Sequence, residues 1–309
     1  MAVTAIAGRA VPQRRVVVAN TTALVLAYAI PRAFTFLSAV VAARVLGPER
    51  FGYYATAAAV AVVASIAATL GMQPLLVREI ARSPERAPGL VAAAHAAKLG
   101  LVLLMAGVLA AAPLAGFHGV ILAAAALLGM GYAVGAFVEN LAAYFQGVER
   151  MHVWTQASAL MGVVTGATGI ALVLLTRSVL WLCAAPALGQ MAALGWLLHR
   201  APARVRRPLL PSAAEVTVLL RRLAPFAAAF LGTTVFYRVD ILLLSRLRGA
   251  AEVGIYGAAY RFLDVVQALA LAGGGALLPM LARRRGAQGA GAARLLARGA
   301  AAAIPVAAA

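Results

Sequence analysis

The chain has 309 residues, is 64% hydrophobic and has a mean hydropathy of +0.92, values that exclude an ordinary soluble domain. Several apolar runs exceed the roughly 20 residues that cross a bilayer, and they lack the short alternating pattern of a barrel, so the expected class is an all-α polytopic membrane protein. The net charge of +18 would suggest nucleic acid in a soluble protein; here it must first be placed relative to a membrane, and no nucleic-acid partner is expected.

In chain order the hydropathy predicts nine spans, at about 18–43, 52–77, 89–112, 119–145, 154–176, 178–199, 224–245, 252–281 and 293–309. Arg9, Arg14 and Arg15 precede the first run, which is too long for a cleaved signal peptide and reads as a retained span. The single cysteine, Cys183, lies inside an apolar run and leaves no intramolecular disulfide. With the N-terminus inside, eighteen arginines from Arg9 to Arg298 fall at cytoplasmic loops. Five fall outside, namely Arg44, Arg50, Arg177, Arg246 and Arg248, so the asymmetry predicts a cytoplasmic N-terminus.

The stretch 42–58, AARVLGPERFGYYATAA, recurs as LSRLRGAAEVGIYGAAYR at 244–261. At a constant offset of 202, Arg44 lies over Arg246, Gly47 over Gly249, Gly52 over Gly254 and Tyr54 over Tyr256. Six crossings separate the copies, so the repeats are parallel, as in transporters built from two six-span halves. The expected organisation is a six-helix lobe over 1–200, a cytoplasmic Arg/Pro-rich linker over 201–222 and an incomplete second lobe over 223–309. The last predicted span is still apolar at Ala309, and a matching second lobe would require three further spans. Within the linker, 213–223 suits an amphipathic helix on the membrane surface. In the turn itself, Gly47 and Gly52 allow a tight reversal, Pro48 suits a helix start, and Tyr53, Tyr54 and Tyr256 suit an interfacial aromatic belt. Gly131–Gly135 and Gly162–Gly166 have the spacing of close helix contacts, whereas Gly273–Gly275 suits either a kink or close packing.

No motif for hydrolysis, metal ligation or nucleotide binding stands in the sequence. His95, His118, His152 and His199 have no ligand-spaced partners, and no cofactor, metal or catalytic residue is expected. The chemistry resides in charges placed within spans: Arg32 directly after Pro31, Arg238 and Asp240 in span 7, Arg261 and Asp264 in span 8, and Glu139 in span 4. Facing lipid, each would cost roughly 2.5–3.5 kcal/mol, so they are expected to face protein or a watery cavity. Arg261 and Asp264 have the spacing of an internal ion pair, whereas Arg238 and Asp240 point to different faces. Arg32 has no acidic neighbour in its span; it is either an anion site, since guanidinium grips phosphate bidentately, or a structural partner of Asp240 or Glu139. Asp240, Asp264 and Glu139 are the candidates for ion pairing or for exchanging a coupling cation. Glu139 and Lys98 also suit snorkelling near the membrane surface.

The segments RVLGPERFGYYATAA at 44–58, LGMQPLLVREIAR at 70–82, YFQGVERM at 144–151 and the RVDILLLSRL and EVGIYGAAY runs within 237–260 resemble the polysaccharide flippases, the O-antigen and exopolysaccharide exporters of the multidrug/oligosaccharidyl-lipid/polysaccharide (MOP) superfamily. The resemblance spans nearly the whole chain. It implies two six-helix lobes around a central cavity and movement of an undecaprenyl-diphosphate-linked oligosaccharide to the outer leaflet of the bacterial inner membrane by alternating access. Related lipid II flippases carry cavity arginines on the first, second and eighth helices. Arg32 and Arg261 match two of these, and the lack of one in span 2 favours a different glycolipid. The partners implied are a lipid-linked glycan, membrane lipid, and a glycan polymerase or glycosyltransferase. The substrate-binding candidates are Arg32, Arg238 and Arg261. Other readings are a multidrug or other lipid exporter of the same superfamily, a membrane polysaccharide polymerase, which would need a larger outer loop, and a non-functional fragment.

Overall fold

A computed structural model describes residues 13–206 and 211–263, with side chains from Pro31 onward. Among the described residues the ordered elements are helices. The first helical stretch, Gln13–Thr69, is two helices in one: Gly47 alone leaves helical dihedrals, at φ 75° and ψ 173°. We call its arms α1 (13–46) and α2 (48–69, resuming as Met72–Arg82). There follow α3 (Ala87–Ala110), α4 (Gly119–Gly147), α5 (Met151–Thr176), α6 (Val179–Arg200), α7 (Ala213–Phe236), α8 (Val239–Leu247) and α9 (250–263). Among the described residues, six stretches are long and apolar enough to cross a membrane: Pro31–Arg82, Pro84–Ala110, Gly119–Gly147, Met151–Thr176, Val179–Arg200 and Ala213–Leu247. The first of these contains the Gly47 turn. The chain is therefore an all-α, multi-pass membrane protein. Span 9, Gly273–Gly275, Asp264 and most of span 8 lie outside the described residues.

Two helix breaks depart from the predicted spans. α2 is interrupted at Leu70 and Gly71, both left-handed at φ 46° and φ 66°. A side chain on Gly71 would stand 3.2 Å from the Phe226 carbonyl oxygen, so glycine serves both the backbone angle and the close passage of α7. The second break separates α7 from α8 at Tyr237 and Arg238, within what the sequence reads as one continuous span. Pro31, by contrast, does not interrupt α1; the Thr35 hydroxyl donates to the Pro31 and Arg32 carbonyls, at 2.9 and 3.1 Å, in the turn that follows it.

The 213–223 segment does not stand apart as a surface helix. It forms the first turns of α7, started by a capping box in which Ser212 and Glu215 bond reciprocally. Leu219 and Leu223 are buried in a core with Leu75, Leu76 and Ile80 of α2 and Val91 of α3, and Arg222 pairs with Glu79 at 3.0 Å.

Lipid supplies little hydrophobic drive between helices, so association rests on close packing at small residues. Gly162, Gly166 and Gly169 of α5 receive Pro31, Phe34 and Ser38 of α1. Gly131 and Gly135 of α4 receive Pro186 and Gln190 of α6. Both glycine pairs read from the sequence are thus helix contacts. Around them an alanine-rich core joins Ala42, Ala57, Ala61, Ala64 and Ala68 to Ala124, Ala125 and Ala136.

The two copies of the repeated turn meet face to face. A Cβ on Gly52 would run into the Ala250 carbonyl and stand 3.1 Å from the Gly254 nitrogen. One on Gly254 would run into the Pro48 carbonyl and stand 3.0 Å from the Gly52 nitrogen. Position 250 is position 48 displaced by the repeat, so the contact is reciprocal, as a two-fold axis between the turns requires. Ala55 and its counterpart Gly257 face each other across that axis. Gly52 therefore serves the approach of the two copies, and Gly47 alone makes the reversal.

Candidate functional site

The charged candidates sort into two groups. The first lies within the N-terminal helices. Lys98 of α3 is fully buried, and its Nζ donates to Glu139 Oε2 of α4 at 3.2 Å and to the Thr69 carbonyl at 3.4 Å. That carbonyl precedes the break at Leu70 and Gly71. The lysine thus neutralises a carboxylate and supplies a donor at the interruption in α2, which corrects the snorkelling reading of Lys98; the Glu139 side chain stays about a third exposed. One turn earlier on α3, the His95 ring bonds the Val91 carbonyl at 2.8 Å and lies 5.5 Å from the Phe137 ring.

The second group gathers where the repeat copies meet. Arg238 is the N-cap residue of α8, at the break, rather than a mid-helix residue. Its guanidinium lies 5.8 Å from the centre of the Tyr260 ring. Asp240, in the first turn of α8, accepts from its neighbour's amide, Ile241 N–H, at 2.7 Å and from the Tyr256 hydroxyl at 2.7 Å. The Tyr256 and Tyr260 rings are 5.4 Å apart, and Tyr260 donates to the Tyr237 carbonyl at 3.3 Å. A tyrosine pair therefore links the two charges that the sequence assigns to different faces.

Arg261 reaches across to the first copy of the repeat. Its Nη2 donates to the Tyr54 hydroxyl at 3.3 Å, and its guanidinium stands 5.6 Å from the centre of that ring. Nearby, Phe36 of α1 and Phe262 of α9 pack edge to face at 5.3 Å. The expected Arg261–Asp264 pair falls partly outside the described residues, since Asp264 is not among them. Arg32 stands half-buried on α1, next to the Pro31 that packs into Gly162.

The structure thus brings Arg238, Asp240 and Arg261 into one region and sets Glu139 in another. Tyr54, Tyr256 and Tyr260 complete the first of these regions. Sequence reasoning treats Tyr54 and Tyr256 as interfacial belt residues; the signal for more was their alignment at the repeat offset. Chemically, the region combines guanidinium groups, which bind phosphate oxygens, with tyrosine faces and hydroxyls, which suit sugar rings. It also lies at a helix broken within a membrane span, a setting in which backbone groups are freed toward a ligand.

The Gly47 end carries a further cross-contact. Arg246 of α8 lies 4.3 Å from the centre of the Phe117 ring, its Nη1 close to Gly116 in the loop between α3 and α4. Its repeat counterpart Arg44 is exposed, so this anchor belongs to the second copy alone.

Comparisons with known proteins were made on sequence and on fold. No curated protein sequence matches the chain. Among solved structures it is similar to a MATE transporter crystallised with Br-NRF, at 16% identity over 88% of this chain and 67% of that one, with a TM-score of 0.60. It is also similar to an inward-facing multidrug resistance MATE family transporter of the MOP superfamily, at 16% identity over 86% and 63%, TM-score 0.54. A MOP superfamily transporter from Pyrococcus furiosus aligns at 15% identity over 87% and 69%, TM-score 0.52. The chain spans about two thirds of the length of these structures, and at such identities they establish the fold alone. A family model described as polysaccharide biosynthesis protein matches residues 17–284. With that match, the chain belongs to the polysaccharide biosynthesis protein family.

Proposed function

We propose that the protein is a flippase that moves an undecaprenyl-diphosphate-type, lipid-linked oligosaccharide across the bacterial inner membrane for cell-surface polysaccharide synthesis, without catalysing a covalent step. The observation that carries this reading is the convergence of Arg238 and Arg261 with Tyr54, Tyr256 and Tyr260 beside the broken helix at Tyr237 and Arg238. A diphosphate needs cations held in a low-dielectric setting, and the sugars next to it need flat, amphipathic faces. Family membership supports the glycan link. The arginine excess toward one side supports a cytoplasmic N-terminus, and a glycosyltransferase or polymerase fits as a partner that supplies or consumes the glycan.

Arg32, on α1, completes the set as a third cation for the headgroup, while Asp240, Asp264 and Glu139 are the acidic groups available for coupling to a cation. Transport of a fluorescent polyprenyl-diphosphate sugar in proteoliposomes tests the arginines. Charge-assisted hydrogen bonds contribute about 1.5–3 kcal/mol each, so Arg32→Ala, Arg238→Ala and Arg261→Ala are each expected to slow transport about tenfold or more. Unchanged transport in all three would remove the arginines from the mechanism.

The similarity to multidrug MATE folds favours one other reading, an exporter of organic cations. A cationic substrate prefers an acidic cavity, and the region where the repeats meet presents Arg238 and Arg261 against Asp240.

A further inference from the structure

A second set of charged groups lies at the opposite end of α7 from Arg238. There a cavity of about 520 Å³ opens between the end of α2, the turn into α3 and the first turns of α7. Small-molecule sites span roughly 300–1,000 Å³. Among the described residues its charged walls are Glu79, Arg86, Glu215 and Arg222, two of each sign. Glu79 and Arg222 satisfy each other at 3.0 Å. Arg86 is exposed and forms no ion pair among the described residues. Glu215 uses Oε2 to accept from Ser212 in the capping box, while Oε1 accepts from no described residue. The cavity thus keeps one uncommitted cation and one uncommitted anion. Its apolar wall is Leu90 of α3 with Leu219 and the exposed Val218 of α7. Both helices are apolar enough to cross a membrane, and the cavity stands where both begin, at the level where lipid headgroups meet hydrocarbon.

We propose that this cavity binds a phospholipid of the adjoining leaflet whose headgroup carries a primary ammonium beside its phosphate. Arg86 takes the phosphate, Glu215 takes the ammonium, and the acyl chains follow Leu90 and Val218. A guanidinium donates to phosphate oxygens, and a primary ammonium offers three N–H donors to a carboxylate. A purely anionic headgroup would instead meet the Glu215 carboxylate with like charge. A quaternary ammonium has no N–H and is held by aromatic faces, none of which lines the cavity among the described residues. The site is separate from Arg238 and Arg261 and does not depend on what the protein transports. Because α3 and α7 both line it, a bound lipid also joins the two, and a ligand held only by the folded state raises its stability.

Native mass spectrometry of the detergent-solubilised protein tests the site, with titrations of dioleoyl phosphatidylethanolamine, phosphatidylcholine and phosphatidylglycerol. Phosphatidylethanolamine is expected to bind several-fold more tightly than the other two and to raise the melting temperature. Arg86→Ala should weaken its binding about tenfold, the loss of one charge-assisted contact. Glu215→Gln removes the charge but keeps the capping bonds, since glutamine serves at that position, and should erase the preference over phosphatidylcholine. Arg221→Ala removes an exposed arginine next to Arg222 that does not line the cavity, and should match the parent. Soluble phosphoethanolamine, which has no acyl chains to bury, should bind more than tenfold more weakly than the lipid. Equal binding of the three lipids, equal losses in Arg86→Ala and Arg221→Ala, or a preference that survives Glu215→Gln would overturn the site. Soluble phosphoethanolamine that binds as tightly as the lipid would overturn the lipid as its occupant.

Discussion

Lys98 is fully buried among membrane-spanning helices, so its charge depends on Glu139 and on the Thr69 carbonyl. Removing Glu139, itself about a third exposed, leaves the buried Lys98 charge uncompensated, at a cost of up to about 3–5 kcal/mol, whereas replacing both partners by apolar residues is often neutral. Glu139→Ala is therefore expected to lower the melting temperature in detergent markedly. Lys98→Met combined with Glu139→Met should recover most of the loss, and a double variant as unstable as Glu139→Ala would show that the pair is not the source. The same reasoning separates this pair from Arg238 and Arg261, whose partners include tyrosines with neutral hydroxyls. One group of charges holds a helix break in place, and the other gathers with tyrosines where the repeat copies meet.

At the scale of elements, glycine decides which helices touch. A Cβ on Gly166 would stand 2.8 Å from Phe34 Cβ and 3.0 Å from the Phe34 carbonyl oxygen, whereas one on Gly107 of α3 would meet nothing within 4 Å. Gly166→Leu should destabilise the protein by about 1–3 kcal/mol or more through overpacking of α1 on α5. Gly107→Leu should leave thermal unfolding near that of the parent, and equal effects would refute the packing assignment. The limits of α3 to α6 were legible in the sequence to within a few residues, because a bilayer fixes the length of an apolar run. The glycine contacts were legible from their spacing. The breaks at Leu70–Gly71 and Tyr237–Arg238 were not, because neither lies at a proline and hydropathy does not register dihedral angles. The Lys98–Glu139 pair was also hidden, since its members lie 41 positions apart on different helices and only packing brings them together.

At the scale of the molecule, the repeat is both a sequence pattern and a contact. The offset made Tyr54 and Tyr256 visible as counterparts; that the two turns pack reciprocally, with Gly52 against Ala250 and Gly254 against Pro48, required the structure. Gly52→Ala and Gly254→Ala both place a methyl against a carbonyl of the opposite turn. Each is expected to lower the melting temperature more than Gly249→Ala, whose Cβ meets open space. Equal effects at the three glycines would argue against a contact between the copies.

The proposed function turns on which substrate the protein moves. The most direct measurement compares, in proteoliposomes, the transbilayer movement of a polyprenyl-diphosphate-linked oligosaccharide with that of an organic cation typical of multidrug exporters. The expected result is protein-dependent movement of the glycolipid and none of the cation. Movement of the cation with the glycolipid left in its original leaflet would contradict it.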